Sequence, residues 1–136
     1  MGTTNYESTF IEVAADCPVD EAQVPQPGAK TPSVAELQHR IIAEHPYDFT
    51  SDDVLFEVYA IRNAIPASER AGARAAFFAK SQACLRASPL GKRYGWGVHS
   101  DADGRVALVP VGSDRYRELA EDSSVKHLRA MRSKRV

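Results

Sequence analysis

The clearest indication of the fold lies in the stretch 94-YGWGVHSDADGRVALVP-110. Two runs rich in β-branched and aromatic residues, 94–99 and 105–110, flank the turn-forming segment 100–104. The pair Asp103-Gly104 between such runs is a strong hairpin signal, because glycine readily adopts the positive φ that tight turns need. The stretch therefore predicts two antiparallel strands joined by a short turn.

Working outward from the hairpin, local patterns predict one more strand and two helices. Residues 9–14 are β-branched and aromatic and are followed by turn formers, which favours a first strand. Ser33 and Glu36 form a capping box before an apolar face of helical period, and Pro46 ends that helix. Ser113 is the expected N-cap of a short helix after the hairpin.

The segment 54–61 is the most ambiguous. It is apolar on nearly both sides and rich in β formers, so we interpret it as a largely buried strand. A helix capped by Thr50 and Asp53 is the open alternative. Residues 67–80 are predicted to form a helix with Ser68 as its cap.

Two segments resist a simple assignment. The proline-rich stretch 17–32 predicts a long loop, and loops of that length are commonly functional, for example as a lid. The basic tail 126–136 fits either a final helix or a strand at a sheet edge. Together the elements predict one α+β domain over residues 1–136, with about four mainly antiparallel strands and helices packed on one face.

Composition indicates a folded chain but no particular function. Apolar residues make up 43% and charged residues 26% of the 136 residues, close to globular averages. The sequence has no apolar run of about 20 residues for a membrane span and no secretory leader pattern, so we expect a cytoplasmic protein with no membrane partner. Cys17 and Cys84 are then expected as free thiols.

The net charge of −1 conceals an asymmetry. Residues 1–79 carry 5 basic and 12 acidic residues, whereas residues 80–136 carry 12 basic and 6 acidic ones. Such a basic half suggests an interaction module for an acidic protein, for nucleic acid, or for the acidic half of a second copy in a homodimer. A pI near 6.4 argues against nucleic acid as the partner.

The densest run of chemistry-bearing residues extends from Cys84 to His99. Arginine forks match the oxygens of phosphate or carboxylate, and aromatic rings offer stacking platforms for a base. Our leading hypothesis is therefore a binding module for a small anionic or nucleotide-like ligand. The predicted ligand-binding residues are Arg86, Ser88, Lys92, Arg93, Tyr94, Trp96 and His99.

An alternative hypothesis is a thiol-dependent enzyme. Cys84 and His99 are a candidate nucleophile and base, because a helix followed by a hairpin is able to bring them together. Whether the protein is an enzyme at all stays open from sequence.

Standard cofactor and metal motifs are missing from the sequence. Gly91-Lys92 has Arg86 where a phosphate-binding loop needs its first glycine, and Gly95-Trp96-Gly97 lacks the third glycine of a dinucleotide fingerprint. The four histidines show no paired ligand spacing. We therefore predict no cofactor and no metal site.

Several blocks of the sequence carry a resemblance. The longest are 84-CLRASPL-90 and 92-KRYGWGVH-99, and shorter ones are TFI at 9–11, DCP at 16–18, PY at 46–47, TSDDVLF at 50–56 and AMR at 130–132. With these blocks the chain resembles a small bacterial family described only as a domain of unknown function. The resemblance covers nearly the whole chain and implies no activity, substrate or catalytic residue.

Overall fold

A computed structural model describes residues 3–28 and 30–134 of the chain. Arg135 and Val136, the end of the basic tail, lie outside the described residues. The elements follow in the order β1 (Thr9–Glu12), α1 (Val34–Glu44), α2 (Ser51–Arg62), a 3-10 turn (Ala67–Glu69), α3 (Arg70–Phe78), a second 3-10 turn (Leu85–Ala87), α4 (Pro89–Arg93), β2 (Trp96–Ser100), β3 (Val106–Pro110), α5 (Asp114–Glu121) and β4 (Lys126–Arg129).

The four strands form one mixed sheet in the order β3-β2-β1-β4. The predicted hairpin is confirmed, since β2 and β3 pair antiparallel with Val98 opposite Leu108. β1 pairs antiparallel with β2, and β4 adds parallel to the other side of β1. The α+β class with four mainly antiparallel strands is therefore confirmed, and the tail takes the edge-strand alternative.

Both faces of the sheet are covered, because neighbouring residues of β1 point to opposite faces and both are apolar. Ile11 packs with Ile42 of α1 and Val54 of α2 on one face. On the other face Phe10 packs with Leu119 of α5. The expectation of helices on one face only is therefore wrong, since α5 covers the second face.

Segment 54–61 belongs to α2 and is not a strand. Thr50 accepts a hydrogen bond from the Asp53 backbone amide, and the Asp53 carboxylate accepts one from the Thr50 amide, which completes a capping box. This start signal outweighs the β propensity of the segment, and the helix buries Val54, Phe56, Val58 and Ala60 while Tyr59 and Ile61 stay partly exposed. The longest helix, α2, has 12 residues, and no helix within 3–28 and 30–134 is long and apolar enough to cross a membrane.

The other predicted helices keep their positions with one change of boundary. Ser33 caps α1 and Ser113 caps α5 through their side chains, as predicted. Ser68, the expected cap of the helix over 67–80, instead lies inside the 3-10 turn, and α3 begins after Glu69 with no side-chain cap. Pro66, the residue before the 3-10 turn, has an extended backbone. The helical segment therefore begins with the tighter 3-10 turn, and α3 follows it.

The loop over 17–32 contains no regular element in its described residues and lies against the start of β2. The backbone amide of Gln23 donates to the Tyr94 carbonyl, and Trp96 Nε1 donates back to the Gln23 carbonyl. Gly95 has a φ of +82°, and a Cβ there would lie 3.1 Å from atoms of Glu21 and Ala22. The glycine therefore allows the loop to pack closely on the sheet.

We predict opposite effects for two glycine-to-alanine substitutions. A Cβ at Gly97 of β2 would lie 2.8 Å from the Phe10 ring, whereas a Cβ at Gly72 of α3 meets nothing within 4 Å. Gly97→Ala is expected to destabilise the protein by about 1–3 kcal/mol through overpacking. Gly72→Ala, the matched control, is expected to stabilise it by up to about 1 kcal/mol through helix propensity. Urea unfolding curves measure both, and similar midpoints for the two variants would contradict the packing around Phe10.

Candidate ligand-binding site

A cavity of about 290 Å³ opens between α1, α2 and the segment 82–89. It lies on the same side of the sheet as the Ile11 core, since both helices pack there. Most of its lining is apolar or uncharged. The lining residues are Val34, Gln38, Leu55, Val58, Tyr59, Arg62, Asn63, Phe77, Gln82, Ala83, Cys84, Ala87, Ser88 and Pro89.

The wall formed by 82–89 is set by local capping. Leu85 is buried and starts a 3-10 turn, and the Ser88 hydroxyl then accepts from the Leu90 amide to cap α4. Proline at the first position of α4 suits this start, because that position needs no backbone donor. The 3-10 turn and the start of α4 place Cys84 and Ser88 beside α1.

Ser88 connects this wall to α1 through a buried hydrogen bond. Its hydroxyl donates to Gln38 Oε1 over 2.5 Å. Gln38 is only 3% exposed, and its Nε2 has no hydrogen-bond partner among the described residues. No buried side-chain nitrogen or oxygen of the described residues lacks a partner, so the Gln38 amide nitrogen is accessible to solvent. Gln38 also lines the cavity.

Two aromatic rings form the outer wall. Tyr59 of α2 and Phe77 of α3 lie with ring centroids 4.7 Å apart. Tyr59 remains 39% exposed, so part of its ring is open to solvent. Such a surface suits the apolar part of a small molecule.

Arg62, at the end of α2, is the one charged residue among the described cavity-lining residues. Its Nη1 donates to the Pro32 carbonyl over 2.9 Å, which holds the side chain near the start of α1. The remaining N–H groups of the guanidinium have no partner within 3–28 and 30–134. The described cavity lining therefore carries one positive charge and no negative one.

Cys84 borders the cavity on one side and meets Tyr6 on the other. The Sγ atom lies 3.3 Å from the Tyr6 hydroxyl. The hydrogen bond with Cys84, followed by burial, raises the pKa of Tyr6. Tyr6 is therefore protonated at neutral pH.

His99 lies away from this cavity. The strand register pairs it with Phe10, so its side chain is on the α5 face of the sheet. It is 8% exposed, and its Nδ1 lies 2.7 Å from the Tyr47 hydroxyl. Cys84 and His99 are thus on opposite sides of the sheet, each paired with a different tyrosine, and the structure does not bring them together.

The predicted anion-binding residues also take separate positions. Arg86 Nε donates to the Arg129 carbonyl and fastens the end of β4. Tyr94 and Trp96 contact the loop through Gln23, and Trp96 also meets His39 edge-on with ring centroids 5.0 Å apart. Lys92 and Arg93 occupy the last turn of α4. Of the seven predicted ligand-binding residues, only Ser88 lines the cavity.

Sequence reasoning missed the residues that α1, α2 and α3 contribute. Gln38 stands four residues before Ile42 and four after Val34, so it is a polar residue on an apolar helical face. The sequence alone therefore contains a signal for Gln38. Tyr59 lies in segment 54–61, which is predicted as a strand, and Arg62 follows it directly, so neither residue is expected from sequence to line a cavity with Gln38.

Comparison with known proteins places the chain in a family but assigns no activity. The model of a family of unknown function (DUF6157) matches residues 1–136. No curated protein and no solved structure matches the chain.

The environment of His99 predicts a pH dependence of stability. Burial lowers the pKa of His99, and the Arg115 charge lowers it further, against opposing effects of Asp101 and Asp122. Because the folded pKa lies below the usual 6.5, the stability from neutral His99 is complete above that value and is lost as pH falls below it. His99→Gln is therefore expected to reduce the loss of unfolding free energy between about pH 7.5 and 5.5.

A residual dependence remains in His99→Gln, since burial also lowers the pKa of His39. Urea unfolding at several pH values measures it, and identical slopes for the wild type and His99→Gln would contradict this account.

Proposed function

We propose that this chain, which belongs to the DUF6157 family of unknown function, is a binding module for a small anionic molecule with an apolar body. The site is the cavity between α1, α2 and residues 82–89. The ligand class, a small anionic molecule, is the one expected from sequence. The proposed site is the cavity and not the run from Cys84 to His99 as a whole.

The observation that carries the proposal is the charge of the cavity lining. Arg62 is the one charged residue among the described lining residues, and it still has free N–H donors. A guanidinium with free N–H groups matches the two oxygens of a carboxylate or the oxygens of a phosphate. The absence of acidic lining within the described residues favours an anion over a cation.

The apolar body of the ligand is supported by Tyr59, Phe77 and Val58. The volume of about 290 Å³ is just below the range of about 300–1,000 Å³ that ligand pockets occupy. A single aromatic ring with a short acidic side chain has suitable dimensions. A complete dinucleotide would extend far outside the cavity.

Gln38 supplies the orienting polar contact. Its Oε1 is engaged by Ser88, and its Nε2 has no partner among the described residues. The amide N–H groups are therefore available to an acceptor atom of a ligand in the cavity that Gln38 lines.

We predict that phenylacetate binds the wild-type protein and that Arg62→Ala raises its Kd at least tenfold. A hydrogen bond to a charged group contributes about 1.5–3 kcal/mol, which corresponds to about 10–100-fold in affinity. Isothermal titration calorimetry or chemical-shift titration measures the Kd. Phenylacetamide, which has the same ring and no charge, is expected to show little difference between wild type and Arg62→Ala.

Arg93→Ala is the matched control, because Arg93 is an exposed arginine in the cluster first suggested by sequence and does not line the cavity. It is expected to leave the Kd of phenylacetate unchanged. Loss of binding in Arg93→Ala with normal binding in Arg62→Ala would favour the α4 cluster instead. An equal loss in both would leave only non-specific charge attraction.

A further inference from the structure

The two outer strands of the sheet, β3 and β4, differ in the backbone that they leave open. At the start of β3, the Val106 amide donates to the Phe49 carbonyl and the Val106 carbonyl accepts from the Tyr47 amide. β3 ends at Pro110, which has no backbone N–H to offer. β4 pairs only with β1, and its outer side is therefore the more open edge of the sheet.

Alternate backbone groups of β4 point away from the sheet. The amides of Lys126 and Ala130 donate to carbonyls at or next to the ends of β1. Because alternate residues of a strand face the same neighbour, the groups of His127 and Arg129 face outward. The Arg129 carbonyl accepts from Arg86 Nε, whereas both backbone groups of His127 and the Arg129 amide have no partner within 3–28 and 30–134. Such groups are a template for a further strand.

Two basic stretches of the chain meet at this edge. Residues 80–100 carry four Lys or Arg and no acidic residue, and residues 125–136 carry five and no acidic residue. Arg86 joins the two stretches, since its Nε donates to the Arg129 carbonyl and its own carbonyl accepts from the Met131 amide. The fold therefore brings the basic charge of both stretches beside the open strand.

The cations at this edge are not neutralised by ion pairs. Glu12, which is opposite Arg129 in the register, lies 4.0 Å from the ring nitrogen of His127. Asp16 accepts hydrogen bonds from the backbone amides of residues 133 and 134. Among the described residues, no salt bridge includes Arg86, Lys126, Arg129 or Arg132.

We infer that β4 is the docking edge for an extended acidic segment of a partner protein, which adds to the sheet as a fifth strand. The free N–H and C=O groups select a polypeptide, because strand addition requires a backbone with both donors and acceptors. The unpaired cations select acidic side chains on that polypeptide. β4 does not line the cavity, so this interaction surface is separate from the proposed ligand site.

A second copy of this chain is a poorer occupant of the same edge. Antiparallel pairing of β4 with itself about Leu128 would place His127 opposite Arg129. Basic side chains directly opposite each other destabilise a strand pair. The charge of β4 therefore favours a different, acidic chain.

The register of β4 also indicates the pattern of the acidic segment. His127 and Arg129 alternate with Leu128, which is half-buried and lies opposite Ile11. Side chains that face each other across a strand pair lie on the same face of the sheet. Acidic residues at alternate positions, with apolar β formers between them, thus match this edge.

The first test uses the end-capped hexapeptide TEVEVT with a fluorescent label, titrated with the wild-type protein and followed by fluorescence anisotropy. The matched control is the same peptide with N-methyl groups on its internal amides, which keeps both carboxylates and cannot form the ladder. The methylated peptide is expected to bind with a Kd higher by about tenfold or more, since backbone hydrogen bonds supply much of the affinity in strand addition. Equal Kd values for the two peptides would overturn the inference.

The second test removes one outward N–H from β4. His127→Pro deletes an amide that the sheet does not use, and Lys126 before it is already extended, so the strand tolerates the change. His127→Ala loses the same imidazole but keeps the N–H. His127→Pro is expected to raise the Kd of the unmethylated peptide by about tenfold relative to His127→Ala. Urea unfolding checks that both variants are folded, and the same Kd in both would contradict strand addition.

A charge reversal tests the edge without changing its backbone. Arg129→Glu is expected to raise the Kd by about tenfold or more. Arg117→Glu makes the same change of net charge beside Gly112, at the far side of the sheet, and is expected to have little effect. An equal loss in both variants would overturn a local site. Tighter binding of a single-stranded DNA oligonucleotide than of the peptide, unchanged in His127→Pro, would also overturn it and identify a nucleic-acid surface.

Discussion

Phe10 and Ile11 are neighbours on the inner strand β1, and both are almost completely buried. Because consecutive strand residues point to opposite faces, the sheet must be covered on both sides. α5 covers the Phe10 face, while α1, α2 and α4 share the other. Three helices meeting over one small face do not fill it uniformly, and the cavity lies between them.

Local signals in the sequence predicted much of this framework. The Ser33 and Ser113 caps and the Asp103-Gly104 turn each depend on residues close in sequence, and each is present where predicted. The prediction of a strand over 54–61 is wrong because the apolar pattern of a mostly buried helix is similar to that of a buried strand. Only the capping box of Thr50 and Asp53 distinguishes them, and it lies outside the segment itself.

The site was harder to predict, because closeness in sequence does not ensure convergence in space. The run from Cys84 to His99 crosses a 3-10 turn, a short helix and a strand, and these elements send its side chains in different directions. The Ser88 hydroxyl turns into the protein, Arg86 turns to β4, and His99 faces α5. The cavity instead combines residues from α1, α2 and α3, whose approach is determined by tertiary packing.

α3 carries one wall of the cavity although none of its residues is buried. It is held to α2 by Phe77 and by two partly exposed ion pairs, Arg70 with Glu57 and Arg74 with Asp53. Ion pairs of this kind contribute about 1 kcal/mol or less each. Local opening of α3 therefore requires less free energy than global unfolding, and its amides should exchange hydrogen sooner than those of α2. One ring of the aromatic wall, Phe77, thus stands on a helix that has no buried residue, so the cavity is able to widen at this ring while the sheet stays intact.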